Sequence, residues 1–112
     1  MKNTVQKTSL GKYGELRRRY LAEHHPDVFY RYTEQGVLDM HLRLVDEEMH
    51  RLVNTFIHEN AEKEELAETL KQVNPLEWTR RMNSLKAQAE EIFLFQLVYV
   101  KEYPQPEEEL PF

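Results

Sequence analysis

The residue types that carry enzymatic chemistry are scarce in this chain of 112 residues. There is no cysteine, and Ser9 and Ser84 are the two serines, which leaves little material for a nucleophile. Glu90 and Glu91 are neighbours in sequence, so on a helix their carboxylates diverge by about 100° and form no acid–base dyad. The sequence GKYG, which starts at Gly11, has neither Walker nor Rossmann spacing. We therefore expect no enzyme, no catalytic residue and no cofactor.

Five histidines among 20 acidic residues raise the question of a metal site. Glu47 and His50 have the Glu-x-x-His spacing of di-iron helical bundles, but such a site requires two of these pairs and two further carboxylates. The chain has no second pair. On a helix that buries Val45, both side chains also point away from the apolar stripe. The sequence thus favours a solvated helix face and no bound metal.

The cationic residues offer binding chemistry instead. Residues 1–31 contain seven Lys or Arg and three acids, a net charge of +4, whereas the remainder contains eight against 17, a net charge of −9. Arginines interleaved with tyrosines, and a second basic cluster on the last long helix, are typical of a surface that contacts phosphates. The candidate nucleic-acid-binding residues are Lys12, Arg17, Arg18, Arg19, Arg80, Arg81 and Lys86. Acids four residues away from several of them allow a competing interpretation as an ordinary solvated face.

The apolar spacing predicts helices throughout. Helical periodicity covers residues 10–23, 27–35, 37–58, 64–72 and 74–102, and the third and last of these ranges each carry a long apolar stripe. Asn74 followed by Pro75 and Glu77 has the features of a helix N-cap. The apolar register fails between His58 and Lys63, where we predict a break or bend. The sequence thus predicts an all-α, single-domain bundle of four to five helices, with two long helices (about 37–58 and 74–102) packed together.

The two ends of the chain differ from this helical part. Residues 1–9 are polar and lack periodicity, so we expect a flexible leader before a helical domain at 10–103. Residues 104–112 are rich in proline and acids, and we expect a disordered tail. The chain lacks cysteine, an apolar signal-peptide segment and a run of about 20 apolar residues, which predicts a cytoplasmic protein without a membrane partner.

A second kind of surface is predicted near the end of the last helix. Residues 92–100 are apolar on nearly every side, and the other short helices offer little to cover them. Phe93, Phe95, Leu97 and Tyr99 are therefore candidate protein-interface residues, either in a homodimer or against another protein. Burial of the same residues in the centre of the monomer is the competing interpretation.

Three ordered blocks resemble the TnpV family of transposon-encoded proteins: LGKYGELRRRYLAEHHPDVFYRY from Leu10, QGVLDMHLRLVDEEM from Gln35 and WTRRMNSLKAQAEEIFLFQLVYV from Trp78. The resemblance implies a small, non-enzymatic accessory protein of a bacterial mobile element, acting in excision, regulation or assistance to a recombinase. Its expected partners are DNA at the ends of the element and the recombinase of that element. The alternative is a helical adaptor that dimerises or binds a protein without contacting nucleic acid.

Overall fold

The computed structural model describes residues 10–64 and 68–103, and within these ranges it contains helices and no strand. The helices are α1 (Lys12–His24), α2 (Pro26–Glu34), α3 (Leu38–Lys63), α4 (Glu68–Val73) and α5 (Pro75–Phe93), and a π-helical segment (Leu94–Val98) continues α5. The prediction of a small all-α bundle with two long packed helices is confirmed. The expected leader and tail lie outside the described residues.

The central element is α3, because α1, α2, α5 and the π-helical segment all pack against it. Its buried side chains Leu42, Val45, Met49 and Val53 recur every three or four residues, so one stripe of the helix faces the core. The main core cluster consists of Tyr13, Val45, Met49, Val53, Ala89, Leu97 and Val98. This core lies where α1 and the end of α5 meet the first two-thirds of α3.

The predicted interruption between His58 and Lys63 is wrong as far as a break is concerned, because α3 continues without interruption to Lys63. The apolar stripe stops near Phe56, where burial by other helices ends, but the backbone hydrogen bonds do not stop there. Asn60 donates its side-chain amide to the Phe56 carbonyl at 2.8 Å, and the Glu64 N–H donates to the Asn60 carbonyl at 2.9 Å. Loss of the apolar register thus marks the edge of the core and not the end of the helix.

The last helix begins as predicted and ends earlier than predicted. The Glu77 N–H donates to Asn74 Oδ1 at 3.2 Å, which confirms the N-cap. The α-helix stops at Phe93, and the Tyr99 N–H donates to the Leu94 carbonyl at 2.8 Å, five residues back, which closes the π-helical segment. The predicted end near residue 102 is therefore wrong.

The shorter helices occur close to the positions that the sequence predicts for them. α1 and α2 each lie within two residues of their predicted bounds, and Gly36 adopts a φ of +72° in the turn that leads to α3. The described part of the fourth predicted helix is α4, which contacts α5. No helix within residues 10–64 or 68–103 is long and apolar enough to cross a membrane.

Candidate nucleic-acid interface

Asp46 holds the beginning of α1 in place from a different helix. Its Oδ1 accepts hydrogen bonds from the backbone N–H groups of Tyr13 and Gly14, at 3.0 and 2.9 Å. A carboxylate at a helix N-terminus satisfies N–H groups that have no partner within the helix, and its charge favours the helix dipole. The α1 helix is thus anchored at its first turn to the middle of α3.

The glycines of the GKYG sequence serve this close approach. A Cβ atom on Gly11 would overlap the Asp46 carboxylate, and one on Gly14 would lie 3.1 Å from the Leu42 carbonyl oxygen. By helix propensity alone both glycines weaken the start of the first helix, and nothing local in the sequence connects them to Asp46. Two glycines three residues apart at a helix start, which leave room for a carboxylate, are the signal that could have indicated the contact.

A second carboxylate, Glu90, joins α1 to α5. Its Oε2 accepts from Tyr13 Oη at 2.6 Å and from Lys12 Nζ at 2.8 Å. Burial raises the pKa of Glu90. The hydrogen bonds from Lys12 and Tyr13, together with the charges of Lys12 and Lys86, lower this pKa by more than burial raises it, so the net shift is downward. Burial, followed by the hydrogen bond to Glu90, raises the pKa of Tyr13. Glu90 therefore neutralises part of the positive charge assigned to the candidate surface.

Arg17 lies inside the protein. Its side chain is fully buried, and its guanidinium donates to the backbone carbonyls of Val98 at 3.0 Å, Val100 and Lys101 at 3.3 Å. These are the carbonyls at the end of the π-helical segment, where no further helical turn supplies N–H donors. Arg17 therefore caps the last helix and does not lie on the exposed face with Arg18 and Arg19, so we remove it from the candidate surface.

His41 completes the environment of Arg17. Its Nε2 accepts from Arg17 Nε at 3.1 Å, and its ring contacts those of Tyr32 and Tyr103, at centroid distances of 4.8 and 5.6 Å. Burial, and then the nearby positive charge of Arg17, lower the pKa of His41 to about 4. His41 is thus neutral at pH 7, as an acceptor for an arginine must be.

The remaining cations of α1 are exposed. The side chain of Arg18 forms an ion pair with Glu15 at 2.8 Å, and that of Lys12 forms the pair with Glu90. Within the described residues, Arg19 has no ion-pair partner, although Glu15 and Glu23 lie four residues before and after it in the sequence. Arg19 is therefore the α1 cation whose charge is least compensated.

The second basic cluster lies apart from the first. Arg80 and Arg81 both pair with Glu77, at 2.7 and 3.0 Å. Both arginines come before Glu90, the residue of α5 that contacts Tyr13. At a rise of 1.5 Å per residue, the distance from them to Glu90 along the axis of α5 is about 14 Å. Arg18 and Arg19 lie beyond Tyr13 in the opposite direction, since α1 continues towards Val98. The two clusters are thus roughly 20 Å apart along these helices, and only Lys86, near Glu90, approaches the α1 surface.

The candidate protein-interface residues divide between core and surface. Leu97 belongs to the core cluster, Phe93 and Tyr99 are half-buried against it, and the side chain of Phe95 is 69% exposed. Ile92, one turn earlier, is 42% exposed. The apolar run is therefore covered in part by the other helices of the monomer, and an apolar patch remains at Ile92 and Phe95.

The pair considered for metal binding is not assembled into a site. His50 Nε2 lies 3.4 Å from Asp46 Oδ2 and its ring contacts Tyr13, while Glu47 is exposed. No group of three or more histidine, aspartate or glutamate side chains with the geometry of a metal site occurs in the described part of the chain.

A family model described as "Transposon-encoded protein TnpV" matches residues 1–98 of the chain. No curated protein and no solved structure shows significant similarity to the chain. The matched range includes α1, α3, α5 and the π-helical segment, and so all the helices that position Arg17, Asp46 and Glu90.

Proposed function

Since this chain belongs to the TnpV family of transposon-encoded proteins, we propose that it is a non-enzymatic accessory protein that binds DNA at the ends of its mobile element. There it assists excision, regulation or the recombinase of the element. Family membership carries the proposal, because accessory proteins of mobile elements act on the element's DNA or its recombinase. The step from family to DNA binding is an analogy that the exposed cations support.

The binding surface is the exposed face of α1. Lys12, Arg18 and Arg19 share this face, and Arg19 is free to contact a phosphate without breaking an ion pair among the described residues. Glu15 and Glu23 lie on the same face and limit its net charge. Binding therefore depends on a few phosphate contacts and weakens steeply with salt.

The test is binding of the full chain to duplexes from the ends of its own element, measured by fluorescence anisotropy at about 50 mM salt and then at rising salt. Arg18→Ala with Arg19→Ala is expected to weaken binding and to reduce the slope of log K against log salt by about two, one for each lost phosphate contact. Arg51→Ala removes an exposed arginine of α3 that pairs with Glu48, outside the proposed surface, and is the control for loss of an exposed arginine as such. Absence of binding by the unaltered chain at low salt would contradict the proposal.

The second candidate function is a helical adaptor. The exposed side chains of Ile92 and Phe95 favour it, since neighbouring exposed apolar side chains commonly mark a protein interface. Sedimentation equilibrium would show a dimer that Phe95→Asp converts to a monomer. A strict monomer for the unaltered chain removes the homodimer from consideration.

A further inference from the structure

A cleft opens between the second half of α1 and the π-helical segment. Its volume is about 220 Å³, and it is lined by Leu16, Arg19, Tyr20, Glu23, His24 and Tyr99. The Arg17 cap fixes its two walls relative to each other, because Arg17 joins α1 to the carbonyls that directly precede and follow Tyr99. The cleft is thus a formed feature of the fold.

Aromatic rings line one side of this cleft and continue onto the surface. The ring of Tyr20 lies 5.5 Å from that of Tyr99, which lies 5.9 Å from that of Phe95. His24 packs on the other side of Tyr20, at 5.3 Å. The series ends at Phe95, which contacts Tyr99 and is not itself one of the lining residues, and its exposed ring leaves a position where another flat ring can stack.

The polar groups at the rim suit a nucleotide. Arg19, without an ion-pair partner in the described residues, can contact a phosphate. Glu23 repels a phosphate but can accept a hydrogen bond from an exocyclic amine of a base. A base in a duplex is stacked between its neighbours, so only an unpaired base can present its face to these rings.

We propose that the rim of this cleft binds an unpaired nucleotide of single-stranded DNA, with the base stacked on the exposed ring of Phe95, next to Tyr99, and the phosphate on Arg19. The inference rests on the proposed DNA association, and it adds the form of DNA that this site takes. Single strands arise wherever a recombination reaction opens or cuts a duplex, so such a site would act on the processed end of an element.

The experiment compares a fluorescein-labelled single strand of about 15 nucleotides with the duplex of the same sequence, at one low salt concentration. We expect the single strand to bind more tightly. Phe95→Ala is expected to weaken single-strand binding by about tenfold, since base–aromatic stacking is strong enough for a loss of that size. Duplex binding is expected to change by less than about twofold.

Three further variants isolate the ring at position 95. Phe95→Trp keeps a stacking surface and is expected to retain single-strand binding, whereas Phe95→Leu keeps an apolar side chain without a ring and is expected to lose it. Tyr30→Ala removes another exposed aromatic side chain, from α2 and outside the cleft, and is the matched control. Because Phe95 and Tyr30 are exposed, these substitutions should leave folding intact, and circular dichroism checks this.

The outcomes separate the inference from the proposed function. Duplex binding that depends on Arg18 and Arg19, without a preference for single strands, overturns the cleft proposal and leaves the proposed function standing. Absence of binding to either DNA overturns both. Full single-strand binding by Phe95→Leu overturns the stacking role of Phe95. If the chain is also a dimer, that result assigns the exposed apolar patch at Ile92 and Phe95 to a protein interface.

Discussion

Replacement of Arg17 by methionine tests the most specific feature of the fold. Methionine has a similar length and no donor, so it removes the hydrogen bonds to His41 and to the three carbonyls at the end of the last helix. The carbonyls of Val100 and Lys101 belong to partly or fully exposed residues and can turn to water. The carbonyl of Val98 and Nε2 of His41 belong to buried residues and cannot find a water molecule as a replacement donor.

The magnitude follows from these two buried acceptors. Each costs about 1–3 kcal/mol when it loses its donor in the interior. Methionine also avoids the cost of desolvating a buried guanidinium, and this offsets part of the loss in the free energy of unfolding, as hydrophobic replacement of buried charges in other proteins shows. We therefore expect Arg17→Met to lower the free energy of unfolding by about 2–4 kcal/mol. With an m-value of about 2 kcal/mol/M, the urea midpoint would fall by roughly 1–2 M.

Urea unfolding measured by circular dichroism is the assay, with Arg18→Met as the control. Arg18 pairs with Glu15 at the surface, and its loss should cost no more than about 1 kcal/mol. Arg17→Lys, which restores a charge but not the planar fork, should lie between Arg17→Met and the unaltered chain. An Arg17→Met variant within about 0.5 kcal/mol of the unaltered chain would refute the capping role.

Three other substitutions test the contacts around α1. The pKa of His41 is about 4 in the folded chain against an ordinary value of 6.5, so the unfolded chain takes up the proton first and stability falls as the pH drops from 6.5 to 4, by up to about 3 kcal/mol. His41→Gln, which still accepts from Arg17, should remove this part of the pH dependence of urea unfolding, and an unchanged dependence would contradict it. Asp46→Ala leaves the first N–H groups of α1 without their acceptor and should cost about 1–2 kcal/mol in the same assay, whereas the same substitution at exposed Asp39 should cost less than about 1 kcal/mol. Gly11→Ala places a methyl group against the Asp46 carboxylate, at an N-cap position where glycine is also preferred over alanine, and should destabilise by about 1–3 kcal/mol; a gain in thermal stability would show that the carboxylate moves aside.

The elements of the fold were predictable because each depends on its own sequence. The N-cap at Asn74 and the stripe of Val45, Met49 and Val53 are local patterns, and both are confirmed. Where several helices must cooperate, local patterns were insufficient. Helical spacing places Trp78 and Ile92 on the apolar stripe of the last helix and predicts their burial, but the fully buried residues of α5 begin only at Leu85, and Ile92 remains exposed. Periodicity shows which residues share a face, not how far along the helix that face is covered.

The phase of the first helix explains the error at Arg17. The three- and four-residue spacing of Tyr13, Leu16, Tyr20 and His24 predicts that these residues form the inward side of this helix, whereas the buried residues are Tyr13, Gly14, Arg17 and Leu21. Tyr13, Arg17 and Leu21 recur every four residues, so this alternative phase was available in the sequence. It places an arginine in the core, which is unfavourable unless acceptors are present. Those acceptors are carbonyls 81 to 84 residues away in the chain, and no local pattern predicts them.

The run of three arginines therefore combines two roles that a block substitution would confuse. Replacing Arg17, Arg18 and Arg19 together by alanine removes the cap of the last helix along with the exposed charges, so we expect partial unfolding as well as loss of any DNA binding. Arg18→Ala with Arg19→Ala should instead retain the free energy of unfolding within about 1 kcal/mol while weakening DNA binding. Arg17→Met should lower the urea midpoint. Under conditions where this variant remains folded, its DNA binding should keep the salt dependence of the unaltered chain, because Arg17 contributes no phosphate contact. If Arg17→Met instead reduced the salt slope by about one at unchanged stability, Arg17 would have to leave the core to reach DNA, and the buried cap would not be the state that binds.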